Sequence, residues 1–317
     1  MNKIYILSVH KKPTQLKRLI EKLDDDSSKF YIHVDLKADI NIFLNQIKKT
    51  NVCFIKNRLD CIWGDFSQVL VTINLLKNVA LENHNKFTKV ILLSGQDYPI
   101  KRLSQIDNYF IENKEYEFIS FDKKAFNKTN KLYINRVLKF AIKPSGLSRG
   151  YIYLSPIFNA GINNFKSFLS LTINGQIKIN NWPIFFNVRR KSIFKKHFKG
   201  SNWWAFNLET VLKLLKYIEL NENELYNYYQ FTSSADEQFF HTILKELMKN
   251  DANIKIKSSL HFIDWERKDV DLPVTFTKSD FQLLKKQPEY YLFARKFDSK
   301  LDEEILNLID KNILNSN

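Results

Sequence analysis

With 317 residues, 44% of them apolar and 14% aromatic, the chain can bury one large core or two modest ones, and it is far too rich in Phe, Tyr and Trp to be a disordered basic tail. Its 49 Lys and Arg against 34 Asp and Glu give a formal charge of +15, so some surface attracts anions such as nucleic acid, anionic lipid or phosphorylated sugars. Cys53 and Cys61 are the only cysteines, which excludes a disulfide framework and a cysteine-rich zinc site, and no apolar run reaches the length of a signal peptide or a membrane span.

The elements of the first half alternate. Ile4 to Val9 reads as a strand, Thr14 to Leu23 as a helix, Phe30 to Val34 as a strand and Ile40 to Lys48 as a helix. Val52 to Lys56 follows as a short strand, Ser67 to Leu81 as a helix and Lys89 to Leu93 as a buried strand. After Pro99 come a helix at Leu103 to Glu112 and a strand at Phe118 to Phe121. This alternation predicts an α/β fold with a Rossmann-like, mostly parallel sheet flanked by helices. Residues 122–199 lack a clean period and read as excursions around a site. Trp203 to Asn207 and His261 to Trp265 are strand-like, and helical spacing returns at Leu208 to Tyr217, Asp236 to Lys249 and Leu301 to Leu314. The expectation is one catalytic domain over 1–317, with a nucleotide-binding part over about 1–121 and an acceptor and catalytic part over about 122–317.

Three patches carry chemistry. Ser234-Ala235-Asp236-Glu237 opens a helix with an apolar face, and Ser-x-x-Glu is by itself a capping box. The functional alternative keeps Glu237 at the mouth of a pocket, where partial burial would raise its pKa toward that of a general base. Gly200-Ser201-Asn202-Trp203-Trp204 offers a glycine for close backbone approach to a ligand and two indoles, Trp203 and Trp204, of which one is expected to face a sugar ring. Phe293-Ala294-Arg295-Lys296-Phe297-Asp298 sets two cations between aromatics that would hold the segment to the body and fix it against a diphosphate. A carboxylate that accepts a proton from an alcohol, beside cations that hold a departing phosphate, is what moving a sugar from a nucleotide to a hydroxyl requires.

Strand ends supply the rest. Ser94 and Asp97 follow the fourth strand, and Asp35 follows the second, positions where open α/β sheets bind ligands and where helix capping is the competing reading. An Asp-x-Asp metal motif is missing from the end of the buried strand, which has only Asp97. Asp24-Asp25-Asp26 lies in a Ser-rich turn, and Asp269-Val270-Asp271 remains as a minority metal candidate. The six histidines show no zinc spacing.

His33-Val34-Asp35-Leu36-Lys37, Trp63-Gly64-Asp65-Phe66-Ser67, Leu93-Ser94-Gly95-Gln96-Asp97-Tyr98-Pro99-Ile100 and the three patches above occur in the order found in the core-2/I-branching enzymes. That is glycosyltransferase family 14, which includes the peptide xylosyltransferases, and the chain resembles it over nearly its whole length. The resemblance implies a GT-A type fold, a UDP-sugar donor, inversion at the anomeric carbon, and no metal or other cofactor, with GlcNAc as the first choice of a sugar that the sequence itself does not specify. It implies Glu237 as catalytic base, Lys296 on the diphosphate with Arg267 or Lys268 as second cation, and Val9, Asp35 and Ser94 among the donor contacts. Asp97, Arg136, Trp203, Trp204 and Trp265 are the candidate acceptor contacts. Animal members carry an anchor and disulfides, so this chain looks like a bacterial form, cytoplasmic or peripheral on the inner face of the plasma membrane, with a surface glycan or lipid-linked oligosaccharide as acceptor. The rivals are a xylosyl- or other hexosyltransferase of the same family, and a nucleic-acid- or glycan-binding protein without catalysis. Against nucleic acid, the chain shows no nucleic-acid motif, and carboxylates at strand and helix ends would repel a polyphosphate.

Overall fold

The computed structural model describes residues 1–82, 84, 88–122, 126–144 and 150–315. In chain order its strands are β1 (Asn2–Val9), β2 (Ser28–Val34), β3 (Val52–Phe54), β4 (Thr88–Ser94), β5 (Asp97–Pro99), β6 (Tyr116–Phe121), β7 (Phe140–Ile142), β8 (Ile152–Leu154), β9 (Gly200–Asn207), β10 (Lys255–Lys257), β11 (His261–Ile263) and β12 (Phe293–Arg295). The main sheet has the order β10-β6-β9-β4-β1-β2-β3. Its pairs are parallel except where β9 runs against both β4 and β6. The α/β class with a mostly parallel sheet flanked by helices is therefore as the alternation predicted.

The strands read as continuous apolar runs because both faces are covered. Along β1, Tyr5, Leu7 and Val9 pack into one core with the helix Pro13–Leu23 and the C-terminal helix Glu304–Ile309. Ile4 and Ile6 point the other way, into a second core with the helices Ser67–Ala80, Leu208–Leu220 and Phe239–Leu247. Lys3, buried within β1, bonds Asp25 at 2.7 Å and Ser27 at 3.1 Å and also pairs with Asp107. Asp24 bonds Lys49 and Asn51, so the Asp24-Asp25-Asp26 turn is a structural anchor. A third, smaller core lies between β7, β8, the helix Ile162–Ile173 and the turn Trp182–Phe185.

Several elements differ from the sequence pattern, and three differences shape the site. Asp97–Pro99, read as a strand-to-helix turn, is itself a strand, and it pairs antiparallel with β12, which pairs parallel with β11. That second sheet carries the distant 293–298 patch to the end of β4. The helix expected from Asp236 begins only at Phe239, after a 3-10 turn over Ala235–Glu237. Gly200 serves the sheet rather than a ligand: a Cβ there would lie 1.8 Å from the Ser120 carbonyl, where β9 closes on a bulge of β6.

Candidate active site

Glu237 sits at the end of a turn with an unusual start. Ser234 adopts a left-handed backbone (φ 47°) and makes no side-chain cap bond, so the capping box suggested by Ser-x-x-Glu does not form. The turn is held from outside. Ser234 donates its amide to the Gly64 carbonyl at 2.8 Å, and the Tyr151 hydroxyl donates to the same carbonyl. Gly64 (φ 73°) has no room for a side chain, since a Cβ would meet the Tyr151 hydroxyl at 2.7 Å. The motif Trp63-Gly64-Asp65-Phe66-Ser67 thus braces the turn that presents Glu237.

Released from capping, the Glu237 carboxylate accepts a hydrogen bond from Arg136 Nη1 at Oε2, 2.6 Å away, and stays about one third exposed. Arg136 comes from the turn Ile134–Leu138, which is fixed in its own right: buried Arg190 donates to the carbonyls of Arg136 at 3.1 Å and Lys139 at 2.7 Å. Arg190 also lines a cavity of about 360 Å³ together with Phe140, Ile184, Asn187 and Tyr228. The neighbouring Asp236 has a buried Oδ1 without a hydrogen-bond partner among the described residues. Burial and the Glu237 carboxylate push the Asp236 carboxyl well above the usual carboxylate range.

The strand ends are tied to one another. The Val9 carbonyl accepts from the Asp35 amide at 2.8 Å, tying the ends of β1 and β2 together. Buried Asp35 uses Oδ1 on the Lys37 amide at 2.9 Å and Oδ2 on the Cys61 amide at 3.1 Å. Burial, Asp35 and Asp236 together push the Cys61 thiol up to about 12. His10, just past β1, is lowered by burial and Lys11, with Asp35 and Arg295 also acting on it.

Arg295, the first of the two cations in the 293–298 patch, reaches the end of β4. Its Nη1 donates to Ser94 Oγ and to Asp97 Oδ1 at 3.2 Å, and its guanidinium lies 4.6 Å from the centre of the Trp203 ring. Trp203 in turn packs on His261 at 5.2 Å, whose pKa burial and Arg295 push down to about 3. Asp97 is wholly buried, and burial raises its carboxyl against the pull of Arg295. As a candidate acceptor contact Asp97 is thereby corrected: it holds Arg295 in place. Trp204 is corrected too, being a core residue stacked on Phe206 at 4.3 Å and packed on Phe240. Arg267 is bound to Asp264 at 3.1 Å and Asp280 at 2.8 Å, so its charge is already matched. Lys268 and Trp265 are exposed.

Lys296 follows Arg295 with its amide on the Val274 carbonyl and its own carbonyl bonded by the Phe276 amide. Phe293 and Phe297 on either side are fully buried, which clamps the segment as the flanking aromatics suggested. Gln15 fastens it further, donating to the Gly95 carbonyl at 2.8 Å and the Phe297 carbonyl at 3.2 Å and accepting from the Ser299 amide at 2.8 Å. Asp269 and Asp271 are exposed, and no group of three or more metal-binding side chains occurs among the described residues. The turn thus presents a carboxylate about one third exposed, and the end of β4 carries Arg295 on Ser94 and Asp97, with Lys296 next to it in the chain.

The Core-2/I-Branching enzyme family model matches residues 4–151 and 172–285. Xylosyltransferase 2 of Rattus norvegicus is 23% identical over 336 residues, covering 98% of this chain and 34% of that protein. Xylosyltransferase 2 of Homo sapiens is also 23% identical, over 330 residues with the same shares. The chain thus spans about a third of the length of the curated relatives it matches. Among solved structures, mouse xyloside xylosyltransferase 1 in its apo form aligns with 93% of this chain and 97% of its own at a TM-score of 0.36 and 11% identity.

Proposed function

Because the chain belongs to the Core-2/I-Branching enzyme family, a family of glycosyltransferases, we propose that it moves a sugar from a UDP-sugar to an acceptor hydroxyl with inversion and without a metal. The observation that carries the reading is Glu237: uncapped, about one third exposed and oriented at Oε2 by Arg136. In the proposed step Glu237 accepts the acceptor hydroxyl proton as that oxygen bonds to the anomeric carbon. The bond from that carbon to the diphosphate breaks with its electron pair leaving on UDP, where Lys296 and Arg295 stabilise the charge. Asp97, by holding Arg295, and Trp203, by stacking on it, act as positioning residues. Asp35 and Val9 border the nucleoside end.

UDP-GlcNAc is the first donor candidate. UDP-xylose is the second, favoured by the relatives' description as xylosyltransferases. The acceptor reading is a glycan or lipid-linked oligosaccharide at an anionic membrane surface, on the cytoplasmic side of a bacterial cell. No helix among the described residues is long and apolar enough to cross a membrane.

The test is UDP release from a panel of UDP-GlcNAc, UDP-xylose, UDP-glucose and UDP-galactose with EDTA present. Selective slow hydrolysis of one donor is expected. Silence with all four from folded protein would sink the reading, and activity that returns only with Mn²⁺ would remove its metal-free part.

A further inference from the structure

The excess charge of this protein is confined to one stretch. Between Asp122 and Glu209 the sequence contains no Asp or Glu at all, yet it holds sixteen of the 49 Lys and Arg. The remaining 33 cations meet all 34 acids, so outside residues 123–208 the chain is balanced to within one charge. The described part of that stretch holds most of the lobe built on the third core and ends in β9 of the main sheet, and its cations can find carboxylate partners only in other segments.

The same lobe is apolar on its outside. Ile162 is 71% exposed, Ile173 83%, Ile179 70%, and Phe158 and Val188 65% each. In the helix Ile162–Ile173, Phe168 and Leu171 turn into the lobe core. At 100° per residue, Ile162, Phe165, Leu169 and Ile173 fall within an arc of about 80° on another side, with Lys166 beside them. Of these, Ile162, Phe165 and Ile173 are solvent-exposed. A helix with one apolar stripe for its core and another left open among the described residues presents a surface for a partner.

We infer that the helix Ile162–Ile173 and the basic surface around it dock on an anionic lipid bilayer. A second copy of the chain would set an acid-free lobe against itself, which like charge disfavours. Nucleic acid would match the cations but offers no hydrocarbon phase to aliphatic side chains as exposed as Ile162, Ile173 and Ile179. An anionic bilayer supplies both, taking the isoleucines below the headgroups while Lys166, Lys178 and Lys191 stay at the charged surface. The inference deepens the acceptor half of the reading above, since Arg136, the partner of Glu237, belongs to this same lobe. Its binding test does not depend on the chemistry.

The experiment is flotation of the full chain with phosphatidylcholine vesicles with and without phosphatidylglycerol, beside the double variant Ile162→Glu with Ile173→Glu. Binding is expected only with phosphatidylglycerol, weaker at high salt, and reduced at least about tenfold in the double variant. Both side chains are exposed, so unchanged circular dichroism and thermal unfolding are expected and confirm that the variant folds. Three results would overturn the docking face: no binding to phosphatidylglycerol vesicles, binding that survives the double substitution, or single-stranded oligonucleotide binding that the same substitution abolishes. UDP release by the same proteins separates the two proposals, because vesicle binding without turnover of any donor rejects the transferase reading and leaves the docking face standing.

Discussion

The sheet from Asn2 to Ser94 buries its strands between two helical layers, whereas the lobe after Asp122 buries one side of its longest helix and leaves an apolar stripe on the other. Their charges differ in the same sense. In the sheet half, cations are matched by acids of the same region, as Lys3 is by Asp25, Lys29 by Glu82 and Lys49 by Asp24. In the lobe, Arg136 finds Glu237 and Lys199 finds Asp122, both from outside the acid-free stretch. The difference teaches that the first region is organised to hold itself together and the second to meet something else. Glu237 stands at the seam, presented by a turn from one side and held by an arginine from the other.

The largest expected effect is at that seam. Glu237→Gln keeps the size and the hydrogen-bonding oxygen but removes the proton acceptor, so turnover should fall about 10²- to 10⁴-fold with little change in thermal unfolding. Wild-type turnover by the folded variant would show that the seam is structural. A smaller effect separates the two regions: Phe168→Ala, in the third core, should cost about 3–5 kcal/mol. Hydrogen exchange should then show lost protection in the helix Ile162–Ile173 while β1 and β4 stay protected. Uniform loss across both would show that lobe and sheet unfold as one unit.

The smallest effect belongs to the sheet half and depends on pH. Burial works against the Asp25 carboxylate, but hydrogen bonds from Lys3, Ser28 and Ser27 hold its pKa down to about 2. A carboxyl with a lowered folded pKa contributes stability that is fully present above its unfolded value and disappears as pH falls through the folded one. Asp25→Asn should therefore cost about 2 kcal/mol near neutral pH, with the gap to wild type closing between pH 4 and 2. Urea unfolding at a series of pH values measures it, and a gap independent of pH would assign the loss to geometry rather than charge.

Much of the fold was legible because the first half is written in long, strongly patterned runs. Ile4 to Val9 and Lys89 to Leu93 could hardly be anything but buried strands, and the observed strands there differ only at their ends. The strands β5, β10 and β12 were not legible, since three residues show no period and owe their existence to partners far along the chain. The capping box failed for a related reason. Ser-x-x-Glu is a local signal, and the bond from Ser234 to Gly64, together with the left-handed Ser234, overrode it.

The sequence by itself determined the α/β class, the strand ends at Asp35 and Ser94, the 234–237 and 293–298 patches, and the family, because each lies within a continuous run of residues. Only the tertiary structure decided which side chains meet. It placed Arg136 on Glu237 across 101 residues, Arg295 on Ser94 and Asp97 across about 200, buried Trp204 while leaving Trp203 against Arg295, and matched Arg267 to Asp280. The physical reason is that a carboxylate or guanidinium acquires its role from the burial and charge around it, and those are supplied by segments remote in sequence.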